Sequence, residues 1–429
     1  MSGNDEKINR KQEGSQWRAA AGSLKPKSGR NRKRSRKEAA ALVDFTTAPQ
    51  VKKSVDAWWD DFSGASPEDR LRMTREALKT VKPDHPWYKN LFPEAIIELG
   101  ESLSRKQYVA FLEELLDSRP DVFDPRSDWY ALSIATARIS DDPPERLERI
   151  IGHVASVTEQ IDDTHFALIS MLRLGGQETA AQLMIDALIP LLESSSLTPW
   201  GLDQLVDWAM FKAYQCCAAA GASEEAIEES YQYLLRLGIK DCDETRRRQR
   251  AFALSWAGKI DRQWSSQDFS AQDRHRVGEN VYLLLVDFWR WLSVFQGLPA
   301  VVSDEFRLIL LQYLTFSKHP VNRLLTGLKR REFEPFLAAK LEFLCLDHLH
   351  APAAVVAMLH LYDFLQERGL VDVPTRDSAR RVCEALWTDL KEGMGNQWSR
   401  FAFLERWLPP DFLRKPTLFH FAPRPKPTY

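Results

Sequence analysis

Apolar residues recur along most of this chain at helical spacing. In "SRKQYVAFLEELLDS", Tyr108, Phe111, Leu112, Leu115 and Leu116 advance by steps of three and one and so share one face. Ser104, just ahead of them, is the expected N-cap. "GQETAAQLMIDALIPLLES" follows the same rule through Ala180, Leu183, Met184, Ala187, Leu188, Leu191 and Leu192. In "SPEDRLRMTREALKTV", Ser66 caps, Pro67 takes the first helical position, and two acids complement the positive end of the helix dipole.

Short breakers separate these stretches: "SGASPED", "DDPPE", "LGGQE", "AAGASEE", "FQGLP" and "HAPAA". The best strand candidates, "AVVSDEF" and "LVDVP", are too short to predict a sheet. Order begins within "KEAAALVDF", where alanines give way to larger apolar residues.

Helices joined by short turns predict an all-α fold of irregular stacked helical hairpins, an α-solenoid-like architecture of TPR/HEAT type. A compact all-α domain pair is the alternative. The two most similar hairpins turn at Gly176 and Gly221, 45 positions apart, too far for a 34-residue unit. The second superficially resembles a tetratricopeptide hairpin at Gly221 and Ala226. Tyr214 stands where that unit needs a small residue, and the closing proline is missing, so that family is not assigned. The expected division is a disordered basic arm over 1–38, a hairpin array over 39–262, a helical region over 263–412 and a Pro-rich extended tail over 413–429. The polar stretch Gly258 to Arg276 suggests the seam.

Length and composition agree with this picture. At 429 residues the chain exceeds what one core usually serves, and 44% hydrophobic content supports a real interior. The five cysteines are odd in number, and the first residues carry no apolar leader stretch, which predicts a reducing, cytoplasmic setting, or a nuclear one if the basic run serves as an import address. "VYLLLVDFWRWLSVF", Val281 to Phe295, is too short to span a bilayer and contains Asp287 and Arg290, so it reads as a buried helix.

Charge changes the picture most. Residues 1–38 hold 12 Lys/Arg and 4 Asp/Glu, a balance of +8; with 58 basic and 60 acidic residues overall, the remainder holds 46 and 56, a balance of −10. The densest run places Lys25, Lys27, Arg30, Arg32, Lys33, Arg34, Arg36 and Lys37 within 13 positions. Such a run releases counterions from a polyanion, and arginine grips phosphate bidentately. No aromatic residue is interleaved, so these eight residues predict sequence-independent contact. A solvated tail without a partner is the plainer alternative.

Other constellations predict structure before chemistry. In "CLDHLH", Cys345 and His348 share a helical face, but His350 lies about 200° from His348 on a continuous helix. A zinc site would need His360 to fold back across "HAPAA" and a fourth ligand, so core packing is the expectation. Cys216 and Cys217 point about 100° apart, one inward and one lateral. His275, Glu279, Asp287 and Arg290 could line an acid–base pocket, yet Asp287 and Arg290 three apart predict an ion pair. "WWDDF", Trp58 to Phe62, predicts an apolar anchor before a cation–π grip. No Walker loop, GxGxxG, GxSxG, HExxH, CxxC or Glu-x-x-His occurs.

No catalytic residue, cofactor or metal is therefore assigned. The expected function is a non-enzymatic interaction or scaffold protein that holds a protein or peptide partner in a helical groove, with no membrane role. The acidic body and abundant tryptophan suit a basic peptide. An enzyme or nucleic-acid-processing factor with an acid or histidine site on the same scaffold is the alternative, and an arm folded onto its own acidic body is a third.

Overall fold

A computed structural model describes residues 55–413, except 82–86, 88–90, 140–144, 195–206, 209, 214, 218, 237–240, 261, 271–273, 317–321 and 342–347. The basic segment 1–38, the start of order and the tail beyond 413 lie outside the described residues. All regular structure among the described residues is helical. Two compact units emerge: an N-terminal one of residues 55–171 and 179–194, and a C-terminal one of residues 172–178 and 207–413.

The N-terminal unit comprises α1 (Val55–Gly64), α2 (Pro67–Thr80), α3 (Phe92–Ser102), α4 (Arg105–Ser118), α5 (Pro120–Phe123), α6 (Ser127–Arg138) and α7 (Glu145–Val157). It also takes most of α8 (Asp163–Leu174) and α9 (Glu178–Leu188). Consecutive helices pack together from α1 to α4, and α6 packs on both α4 and α7. Both expected caps form. Ser66 accepts from the Asp69 amide with Pro67 behind it, and Ser104 and Gln107 bond reciprocally as a capping box. "WWDDF" is the apolar anchor: Trp58, Trp59 and Phe62 are buried, with Trp58 edge-on to Trp87 at 5.7 Å.

Two stripes differ in detail from the periodic reading. In α4, Phe111, Leu112 and Leu115 are buried, but so is Glu113, which accepts from Arg138 (3.1 Å) and from Arg146. In α9 the buried face is Ala180, Ala181, Met184, Ile185 and Leu188, and Leu183 is exposed. Ala181 and Ile185 fit the same period one position around the helix, and packing chose between the two faces.

The C-terminal unit holds α10 (Glu224–Arg236), α11 (Asp243–Trp256), α12 (Arg274–Arg290), α13 (Ala300–Phe316), α14 (Asn322–Leu325), α15 (Arg330–Lys340), α16 (His350–Glu367), α17 (Val373–Met394) and α18 (Pro410–Leu413). Successive contacts run α10–α11–α12–α13–α16–α17, with α15 against α13, α16 and α17. The turn glycines Gly176 and Gly221 both take positive φ, +74° and +72°, where glycine escapes the Cβ clash.

The two strand candidates prove helical or lead into a helix, and three expectations are corrected here. "AVVSDEF" forms the first turns of α13, and "LVDVP" leads into α17, where Asp372 caps the Thr375 amide. Both runs are short, and β-branched residues enter a helix readily once packing supplies the energy. "HAPAA" is no break: it opens α16, and Pro352 sits in the first turn, where its missing N–H leaves nothing unpaired. Asp287 does not pair with Arg290 but accepts from Trp264 Nε1 at 2.8 Å. The run expected to be buried through Phe295 ends with Val294 and Phe295 each 59% exposed.

Candidate functional site

Helix α13 is buried on all sides from Val301 to Leu310, yet that stretch contains Asp304, Glu305 and Arg307. Charges in such a place must be paired and hydrogen-bonded. Arg307 Nε donates to Asp304 Oδ1 at 2.7 Å, one turn away. Arg173, at the end of α8, donates to Asp304 Oδ2 and lies 2.8 Å from Glu305 Oε2. His350 Nε2, at the start of α16, lies 3.2 Å from Glu305 Oε1. Two cations and two anions thus close a network whose side chains are at most 4% exposed.

Aromatic faces line it. The Arg173 guanidinium lies 5.1 Å from the Trp208 ring centre, and that of Arg307 lies 5.5 Å from Tyr282 and 5.6 Å from Trp289. Arg173 Nε, Arg307 Nη1 and Trp208 Nε1 find no hydrogen-bond partner among the described residues.

Most of the network's groups are satisfied by one another, so its chemical capacity rests with Asp207. Burial pushes that carboxyl up to about 7; Arg307 and Arg173 oppose the rise, and Asp304 and Glu305 reinforce it. Burial also lifts the Tyr282 phenol to about 12. A carboxyl raised toward neutrality by burial, within the field of Arg307 and Arg173, is a candidate acid–base group of this unit.

None of these groups except His350 was singled out by the sequence reading. The available signal was the charge inside "AVVSDEFRLILLQYLTF", where two acids and an arginine interrupt a run otherwise fit for a core. Arg173 and Asp207 carry no such signal, because only the fold brings them to α13.

The residues that the sequence did nominate have other roles. His360 is buried, and its Nε2 lies 2.7 Å from the Trp407 carbonyl oxygen. His350 and His360 share one helix and meet different partners. Cys345 and Asp347 lie outside the described residues, as does the side chain of His275. Cys217 is buried and Cys216 exposed, as the 100° offset requires. Lys212 pairs with Glu178 at 2.7 Å. Among the described residues no group of three His, Cys, Asp or Glu could hold a metal ion, and no helix is long and apolar enough to cross a membrane. No protein-family model, no curated protein and no solved structure matches the chain.

Proposed function

We propose that this protein is a non-enzymatic interaction protein. Its helical body, read as stacked hairpins of solenoid type, presents a surface to a protein or peptide partner. The segment Lys25 to Lys37 adds a sequence-independent contact with nucleic acid or another polyanion. The carrying observation is the charge separation: +8 over residues 1–38 against −10 over the rest. Two weak contacts on one chain multiply through effective concentration. The proposed setting is the cytoplasm, or the nucleus if the basic run also serves as an address.

The test compares the full chain with a variant lacking residues 1–38. Binding of a single-stranded oligonucleotide is measured by anisotropy across a salt series. The full chain should bind with log affinity falling linearly in log salt, at a slope no steeper than about −6 for eight neutralised phosphates. The truncated chain should lose that binding and keep its helical circular dichroism. Equal binding by both chains at low salt would refute the role of the basic segment.

One observation favours an all-α enzyme as a second reading: the Asp207 carboxyl, raised toward neutrality by burial within the field of Arg307. An activity abolished by Asp207→Asn in a protein of unchanged stability would establish it.

A further inference from the structure

The end of α12 breaks its own apolar pattern. Phe288, Trp291, Leu292 and Phe295 stand at i, i+3, i+4 and i+7, the spacing of a single buried face. The first three are buried, with Trp291 and Phe288 packed on Phe364 at 5.7 and 5.6 Å. Phe295 is not. The chain switches to a π turn over Trp291–Phe295, closed by the Gln296 amide donating to the Trp291 carbonyl at 3.1 Å. A π turn takes one residue more than an α turn. The added residue carries the end of the stripe off the core face, and Val294 and Phe295 emerge side by side. Two adjacent large apolar side chains are thereby left in water.

The charge beside this step is positive, against the sign of the body as a whole. The Arg290 guanidinium lies 5.6 Å from the Phe295 ring centre and against Gly258. It makes no hydrogen bond or ion pair among the described residues. Arg262, whose guanidinium donates to Ser255 Oγ, and Arg368, 5.5 Å from the Phe364 ring, share the field of Asp287 with it. Both nearby carboxylates accept from indoles: Asp287 from Trp264, and Glu367 from Trp291, each at 2.8 Å. Neither carboxylate makes a hydrogen bond to Arg262 or Arg290 among the described residues, so the Arg290 guanidinium, partly exposed beside Phe295, keeps hydrogen-bonding capacity for an added carboxylate.

We infer that the π turn at Trp291–Phe295, together with Arg290, is a docking point for an acidic peptide segment of a partner protein. The segment sets an apolar side chain against Val294 and Phe295 and a carboxylate on the Arg290 guanidinium. This inference rests on the interaction reading above and names the chemistry of one partner contact, opposite in sign to the basic peptide that the overall charge suggests. A nucleic-acid strand fits less well. A body carrying −10 repels a polyphosphate more than a peptide with two or three carboxylates.

Display of random dodecapeptides, panned against the full chain, tests it. Selected peptides are then measured against the full chain, Arg290→Glu and Phe295→Ser, with circular dichroism confirming equal fold. Expected are peptides with Asp or Glu next to Phe, Leu or Trp, weakened about tenfold or more by either substitution, as for a central anchor. Acidic peptides that bind all three proteins equally would overturn the surface and leave the interaction reading standing. Selection of only basic peptides would overturn this surface and leave the interaction reading standing, and selection of no peptides would overturn both. A 12-nucleotide oligouridine that binds the full chain and is lost in Arg290→Glu would make the site one for nucleic acid and overturn the peptide assignment.

Discussion

Arg173 donates to Asp304, 131 positions further along the chain, and both side chains are almost wholly out of water. Asp304 serves Arg307 as well, at 2.7 Å. Removing the shared carboxylate would leave Arg307 without its ion-pair partner and Arg173 with Glu305 alone. Asp304→Ala should therefore cost about 3–5 kcal/mol, the usual penalty for an orphaned buried charge. Urea denaturation would show it as a lower midpoint at unchanged slope. A loss below about 1 kcal/mol would mean that water reaches the pair.

Asp207 should make stability fall as pH rises. Its folded value of about 7 exceeds the ordinary 3.8, so between the two the folded chain keeps a proton that the unfolded chain has released. The contribution is complete below about pH 4, is lost progressively up to about pH 7, and is level above. The slope is on the order of 1 kcal/mol per pH unit inside that window. Denaturation of wild type and Asp207→Asn at pH 5 and 7.5 checks it. The asparagine variant should lose this component, and parallel curves for the two proteins would count against it.

Gly221 and Gly258 separate backbone strain from crowding. Both have positive φ, +72° and +70°. A Cβ at Gly221 meets open space, so Gly221→Ala should cost about 1 kcal/mol from the left-handed backbone alone. A Cβ at Gly258 would meet the Arg290 guanidinium, the far end of a flexible side chain that can move aside, so Gly258→Ala should lower the melting temperature about as much as Gly221→Ala. A clearly larger loss at Gly258 would show that Arg290 is held in place.

Thiol reactivity should follow burial. Cys216 is exposed, whereas Cys217 and Cys383 are buried and burial raises both thiols. Iodoacetamide on the native protein, read by mass spectrometry, should modify Cys216 well before Cys217 or Cys383. Labelling of Cys383 at the rate of Cys216 would show that α17 opens readily.

Local chemistry was legible wherever neighbours in sequence are neighbours in space. Ser66, Ser104, Gly176 and Gly221 do what their residue types predict, because caps and turns are closed within a few residues. Where two faces of a helix were equally apolar, as in α9, periodicity could not choose between them, and Leu183 came out exposed. "HAPAA" was misread because proline punctuates a helix interior but not its first turn.

The sequence by itself determined that the chain is helical, where several helices start, and that its positive charge is gathered ahead of an acidic body. Those properties follow from spacing, residue type and counting. Only the tertiary structure decided that Arg173, Asp304, Glu305 and Arg307 meet, and that Phe295 leaves the core beside Arg290. The first depends on packing between helices far apart in the chain. The second depends on one backbone hydrogen bond, from Gln296 to Trp291, that no hydrophobic pattern encodes.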